Sequence, residues 1–318
     1  MTAVRLVLLL LLLLGGPALA DKRIAFTYDD VPREPGAFFT PEVRQALLIG
    51  NLRRAGIAQA AIFVTTEHFE EPYGRNGDAR MAAYAAAGHV LANHSYAHEP
   101  LSSMSARAYL ADIDRAQRWF RGRAGARPWF RFPYMDEGTG DVAKHRAVMA
   151  GLAQRGLANG YVTVVANDWT VDDLVTEAVQ RRAPVDIAAA GGLWVEQIVE
   201  AAEFYDALSR RVLGRASVQT LLLHETDLAA IFTADLAAAL RAKGWTIVTA
   251  DEAFADPVAA LPYRTPPFIG SRISMLAAQA GIPSGEREFA RNDDRVLRRL
   301  FVATQPGTAG QKSLATPR

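Results

Sequence analysis

Cysteine is absent from all 318 residues, so a disulfide framework, thiolate ligation of a metal and a lipid-modified cysteine are all excluded. The folded chain must be stabilised by its core. An excess of one charge is also missing: Lys and Arg total 35 against 34 Asp and Glu, for a net charge of +1. Nucleic-acid binding would call for a basic face or stripe, so no such partner is expected. The pairs Arg53-Arg54 and Arg181-Arg182 read as solvated helix faces. Long apolar runs are scarce too. The unbroken stretch Leu6 to Leu14 is shorter than the roughly 20 residues that span a bilayer, so a permanent membrane anchor is not expected. No G-x-S-x-G elbow and no G-x-x-x-x-G-K-[ST] phosphate loop occurs.

What is present begins at the N-terminus. Arg5, the apolar run, Gly15-Gly16-Pro17 and the small-residue ending Ala18-Leu19-Ala20 read as a secretory signal peptide over residues 1–20. Cleavage would expose Asp21 and deliver the protein to the periplasm or the medium. With 50% hydrophobic residues, the remainder can bury one large core or two smaller ones.

Apolar runs alternate with helical patterns along the chain. Strands are predicted at Arg23 to Tyr28, Ala60 to Thr65, His89 to Asn93, Trp129 to Pro133, Tyr161 to Ala166, Thr220 to His224 and Trp245 to Thr249. Thr40-Pro41 predicts a helix start and Gly56 its stop. Further helices are expected from Asp78 to Gly88, around Leu110 to Phe120, from Asp141 to Gly156, near Trp194 to Leu213, and after a Thr233 cap to Gly244. About seven strands separated by helices predict a parallel α/β sheet, and a nearly closed (β/α) barrel or an open doubly wound sheet both fit. After Pro257 the composition turns to Pro, Gly and Arg. We read 257–318 as an extension wrapping the barrel, with a helix near Asp293 to Phe301 and disorder from Thr304 onward.

Unusual polar residues gather at the C-terminal ends of the predicted strands: Asp29-Asp30, His94 with His98, Arg131 with Tyr134, Asp168, and His224. In a parallel barrel these ends share the face on which active sites are assembled. His94-Ser-Tyr-Ala-His98 places two imidazoles four apart, on one side of a helical turn, the spacing that lets both reach one metal. Ser95 stands where a zincin needs Glu, which excludes that chemistry. Asp29-Asp30 can be an ordinary turn, or can split into one ligand and one base. His224 follows Leu221-Leu222-Leu223 and is either a core histidine or an acid oriented by Asp168. His68, His89 and His145 read as structural or surface residues. Gly138-Thr-Gly140-Asp-Val-Ala143 matches a dinucleotide fingerprint, but lies mid-chain without a lone ribose-binding acid after the next strand, and is set aside.

Together these residues resemble the polysaccharide deacetylases, the NodB-homology group of carbohydrate esterase family 4. Phe26-Thr27-Tyr28-Asp29-Asp30-Val31-Pro32 is similar to that family's T-F-D-D-G-P and His94-Ser95-Tyr96-Ala97-His98 to its H-[ST]-x-x-H. Arg131-Phe132-Pro133-Tyr134 resembles its R-x-P-Y, Asp168-Trp169 its D-W, and Leu222-Leu223-His224 its L-x-H. All five occur in the family's order, within a domain read as residues 21–256. The resemblance implies a distorted (β/α) barrel and a hydrolase acting on carbon–nitrogen bonds that removes N-acetyl groups from glycans such as peptidoglycan or chitin-type chains. Asp30, His94 and His98 would hold a divalent metal, zinc first, with cobalt, nickel, manganese or iron also suiting the donor set. Asp29 would be the general base, oriented by Arg131. The Tyr134 backbone N–H would be an oxyanion donor, and His224 a general acid oriented by Asp168. Trp169 and Leu222 would shape the pocket for the acetyl methyl. The departures are Tyr28 for Phe and Val31 for Gly; Val31 is expected to add bulk beside the base and reshape the groove. Action on O-acetyl esters or non-sugar amides, and a silent glycan-binding module, are the alternatives. Oligomeric state is not legible.

Overall fold

The computed structural model describes residues 22–262 and 264–306. The predicted signal peptide and the last twelve residues of the extension lie outside them.

Seven parallel strands form one sheet, curled into a half-barrel. They are β1 (Lys22–Val31), β2 (Ala61–Val64), β3 (Val90–Asn93), β4 (Ala126–Phe130), β5 (Ala158–Asn159), β6 (Val218–His224) and β7 (Trp245–Ile247). The order is β5-β4-β3-β2-β1-β6, with β7 also pairing β1. β6 runs along one edge of β1, from Arg23↔Val218 to Asp29↔His224. The other edge is shared, β7 taking Lys22 to Ile24 and β2 taking Thr27 to Val31. Every residue of β6 is buried, as expected of a strand covered on both faces.

Helices alternate with the strands: α1 (Pro41–Arg54), α2 (Gly77–Ala86), α3 (Ala106–Phe120), α4 (Val142–Gln154), α5 (Asp168–Gln180), α6 (Ile187–Leu213) and α7 (Asp227–Ala242). Local chemistry sets their starts. The Thr40 hydroxyl accepts from Val43 N, with Pro41 in the first turn, and the Ser105 hydroxyl accepts from Ala108 N. Along α3, Tyr109, Ile113, Ala116 and Phe120 recur at helical spacing and are all buried. The chain continues into α8 (Ala250–Phe254), α9 (Arg272–Gln279) and α10 (Asp294–Thr304). α9 packs on α6, and α10 on α5 and α6. The expected disorder from Thr304 is not met at that residue, which still closes α10.

The structure corrects several expectations. Tyr161 to Ala166 is not a full strand: it makes a single bridge, Val164 to Leu221, across the opening of the sheet. The reason lies in Arg131, whose guanidinium donates to Gly160 O at 2.6 Å and Tyr161 O at 3.3 Å, taking carbonyls that a ladder would use. Thr233 does not cap a helix. Thr226 caps α7, and the buried Thr233 hydroxyl donates to Ala229 O and receives the Tyr28 hydroxyl at 3.0 Å. A helix over Asp168–Gln180 was not anticipated. Val31 is fully buried in the main core rather than beside the base in the groove, so this departure does not reshape the cavity. Among the described residues, no helix is long and apolar enough to cross a membrane.

Candidate active site

The strand ends converge on a cavity of about 520 Å³ lined by Asp29, Asp30, His94, His98, Tyr134, Trp169, Leu222 and His224. Parallel pairing brings them together. Asp29 is opposite His224 in the β1–β6 register, His94 N continues the ladder onto Val64 O at 3.0 Å, and Arg131 N bonds Asn93 O at 2.9 Å.

His94 and His98 do not lie on a helical turn. They flank an irregular loop in which Ser95 has φ 71° and His98 φ 54°. Asn93 Oδ1 accepts from Ser95 N at 2.8 Å, and the Ser95 hydroxyl accepts from His98 N at 2.9 Å, so short side chains hold the loop where a helix would have used backbone bonds. Left-handed backbone outside glycine gathers here. Asp30, Ser95, His98, Tyr134, Met135 and Asn167 all have φ between 46° and 71°, and only Asn76 and Arg182 do so elsewhere among the described residues. Such strain concentrates where structure is constrained by function.

Asp30 Oδ1 lies 2.7 Å from His98 Nε2 and 3.2 Å from His94 Nε2. His94 Nδ1 is 3.0 Å from the Arg131 carbonyl, which assigns the proton to that nitrogen and turns the Nε2 lone pair toward Asp30. Asp30 Oδ1 is buried and makes no well-aligned hydrogen bond among the described residues. A carboxylate oxygen and two imidazole nitrogens, one ligand atom each within 4.8 Å of one another, therefore face a common point. This donor set fits a divalent cation and leaves further coordination positions open. Burial works against ionised Asp30, but the two imidazoles outweigh it and hold its pKa well below the carboxylate range.

Asp29 is placed differently. Arg131 Nη1 donates to Asp29 Oδ1 at 2.6 Å and to the Thr27 hydroxyl at 2.7 Å, while its guanidinium lies 3.8 Å over the Phe63 ring. One oxygen of Asp29 is thereby fixed, and Oδ2 is left 3.7 Å from His94 Nε2. On the opposite flank Asp168, the first residue of α5, accepts from both His224 N at 2.8 Å and His224 Nδ1 at 2.9 Å. Burial opposes the imidazolium, but Asp168 overrides it and raises the His224 pKa above its ordinary value. His224 Nε2 is left facing the cavity, 3.8 Å from Asp30 Oδ2. The Trp169 ring meets the imidazole edge-on at 5.0 Å. Tyr134 rests its ring on His98 at 4.7 Å, and no hydrogen bond takes up its backbone N–H among the described residues.

His68, His89 and His145 stand outside this set. His68 Nδ1 pairs with Pro32 O, His89 Nδ1 accepts from Ala60 N, and His145 Nδ1 pairs with Glu137 O. Burial lowers the His89 pKa to about 4. Sequence reasoning missed Arg33, Met135, Asn167, Asp173 and Ile269, all of which line the cavity. Arg33 Nη1 lies 3.4 Å from Asp30 Oδ2 and could have been suspected from its place directly after the Asp-Asp motif. No sequence signal marks Ile269.

The cleft at the strand ends brings together three side chains able to hold a metal ion, and comparisons with known proteins relate it to one family. The polysaccharide deacetylase family model matches residues 17–152, so this part of the chain, which carries Asp29, Asp30, His94, His98 and Arg131, is similar to that family. A chitin deacetylase from the fungal pathogen Colletotrichum lindemuthianum is 21% identical, covering 75% of this chain and 89% of its own, with a TM-score of 0.50. A family 4 carbohydrate esterase from Streptomyces lividans, in complex with acetate, is 22% identical over 74% of this chain and 96% of its own (TM-score 0.48). A peptidoglycan deacetylase from Bacillus subtilis is 19% identical over 72% and 88% (TM-score 0.45). At such identity the likeness is one of fold. A search of curated proteins found no match.

Proposed function

We propose that this chain removes N-acetyl groups from an extracytoplasmic glycan, of peptidoglycan or chitin type, using a divalent metal held by Asp30, His94 and His98. The observation that carries this reading is the opposed pair Asp29 and His224, each oriented by a buried partner, on either side of three converging metal-ligand atoms. When bound, the metal would supply Lewis acidity and lower the pKa of a water.

The chain's own residues account for the proton transfers. Asp29, with Oδ1 held by Arg131, keeps Oδ2 to take a proton as water attacks the acetamide carbon. The Tyr134 N–H, which no hydrogen bond takes up among the described residues, would donate to developing negative charge on the acyl oxygen. An amine leaves poorly as an anion, so His224, protonated and held by Asp168, gives its proton to the departing nitrogen. Trp169 and Leu222 border the cavity where the acetyl methyl would lie. Export rests on residues 1–20, and a mature N-terminus at Asp21 would support it.

The test is acetate release from a panel of chitooligosaccharides and peptidoglycan fragments, with metal content measured on the same preparation. Release from a glycan, lost on chelation and restored by zinc or another divalent ion, is expected. Turnover confined to non-sugar amides or O-acetyl esters would overturn the glycan reading.

A further inference from the structure

Ile269 reaches the active-site cavity from beyond the residues the family model matches. Among the described residues, Tyr134 at 56% exposure and Ile269 at 57% stand out as large apolar side chains left in solvent while lining this cavity. Ile269 is not a loose tip. Before it, Pro267 O accepts from Gly140 N at 2.8 Å. After it, a Cβ on Gly270 would lie 2.9 Å from the Phe268 ring, so the turn there has little room for a side chain. The Ser271 hydroxyl then caps α9, Arg272 N bonds Val162 O at 2.8 Å, and the Arg272 guanidinium donates to the carbonyls of Val258, Ala259 and Leu261.

An apolar side chain fixed in water beside a polar catalytic centre gains free energy when a ligand covers it. The neighbours select the ligand. The cavity is lined by the buried polar groups Asp29, His94 and His224 together with the exposed Tyr134 and Ile269, which suits a molecule with an apolar face and polar edges. A pyranose ring has that form, with axial C–H groups on its face and hydroxyls around its rim. We infer that Ile269 is a specificity-determining residue that, with Tyr134, contacts the C–H face of a sugar ring adjoining the acetamide to be cut. The inference rests on the glycan reading above.

Its test is steady-state acetate release by Ile269→Ala and Ile269→Ser on the glycan that the parent deacetylates fastest, with metal content and Tm measured alongside. KM should rise about five- to tenfold, the effect of losing a partly covered aliphatic contact, while kcat stays within about twofold and metal content is unchanged. Ile269→Leu should restore KM to near the parent value. An unchanged KM in the Ala and Ser variants overturns the inference and leaves the glycan reading standing. A fall in kcat with KM held also overturns it, because that is the signature of a structural or catalytic role. A parent that releases no acetate from any glycan overturns the glycan reading, and this inference with it.

Discussion

The two flanks of the cavity are built by different means. Asp30, His94 and His98 leave the ends of β1 and β3, which both pair with β2, and all three lie within residues 17–152. Their placement follows from the sheet register and a short loop. Asp168, Trp169 and His224 lie outside that span, and the segment leading into the first two, Tyr161 to Ala166, is not a regular strand. It is held from behind by the C-terminal extension. Asn292 Nδ2 donates to Val165 O at 2.9 Å, Asn167 Nδ2 donates to Asn292 O at 2.8 Å, and the Thr170 hydroxyl bonds Asp294 Oδ1 at 3.1 Å. Gln197 Nε2, from α6, joins Ala166 O to Asn292 Oδ1, at 3.0 Å each. One flank is thus set by the sheet, and the other by distant chain packed against it. Remote changes should therefore disturb acid catalysis before they disturb metal binding.

The sharpest way to divide the flanks is at the Asp-Asp pair. Asp29→Asn should lower turnover by about three orders of magnitude while metal content stays at the parent level. His98→Ala should lose metal, read by elemental analysis. Loss of metal in Asp29→Asn would mean that the two aspartates exchange roles. On the other flank, Asp168→Asn should cost about a hundredfold in kcat, by analogy with the size of general-acid effects. Because Asp168 raises the His224 pKa and the proposed role of His224 requires its acid form, activity should fall as pH rises through that pKa. The substitution should move this basic limb of the pH–rate profile to lower pH.

Asn292→Ala probes the asymmetry itself. It removes side-chain bonds to Val165 and Gln197, so a loss of about 1–2 kcal/mol in denaturant unfolding is expected. Turnover should drop several-fold with metal affinity unchanged; equal losses of both would erase the distinction between flanks. The smallest effect concerns Asp172 in α5, whose Oδ1 accepts from Leu228 N at 2.8 Å. Burial raises its pKa to about 6, and nearby Asp227 adds to the rise. A carboxyl with a raised folded pKa favours the folded state below its unfolded value, and that advantage is lost as pH rises through about 6. Asp172→Asn, which keeps an acceptor for Leu228, should stabilise the protein at pH 8 by on the order of 1 kcal/mol relative to its effect at pH 4. Paired unfolding curves at the two pH values would check it.

The motif residues were readable because each is an unusual polar type at the end of an apolar run, and parallel pairing brings such ends together. Where reading failed, a long-range interaction had displaced a local signal. Tyr161 to Ala166 has the composition of a strand, yet Arg131 takes the carbonyls of Gly160 and Tyr161, and the segment bridges β6 at one point. The spacing of His94 and His98 suggested a helical turn, but the hydrogen bonds of Asn93 and Ser95 stabilise a left-handed loop instead. Thr233 has the composition of a cap, but Tyr28 and Ala229 engage its hydroxyl inside α7. Ile269 carries no signal, since an isoleucine in a Pro- and Gly-rich stretch looks the same whether it meets solvent or a cavity.

The sequence by itself determined the alternation of strands and helices and the residue types gathered at the strand ends, because periodicity and chemistry are local properties. It thereby named the groups able to hold a metal, take a proton and give one. Only the tertiary structure decided that Asp29 Oδ1 is fixed by Arg131 while Asp30 Oδ1 faces two imidazoles, since adjacent, chemically identical carboxylates differ only in what the fold brings to them. It likewise decided that the extension braces the acid flank and sets Ile269 at the rim, contacts across more than a hundred residues of chain that no local pattern encodes.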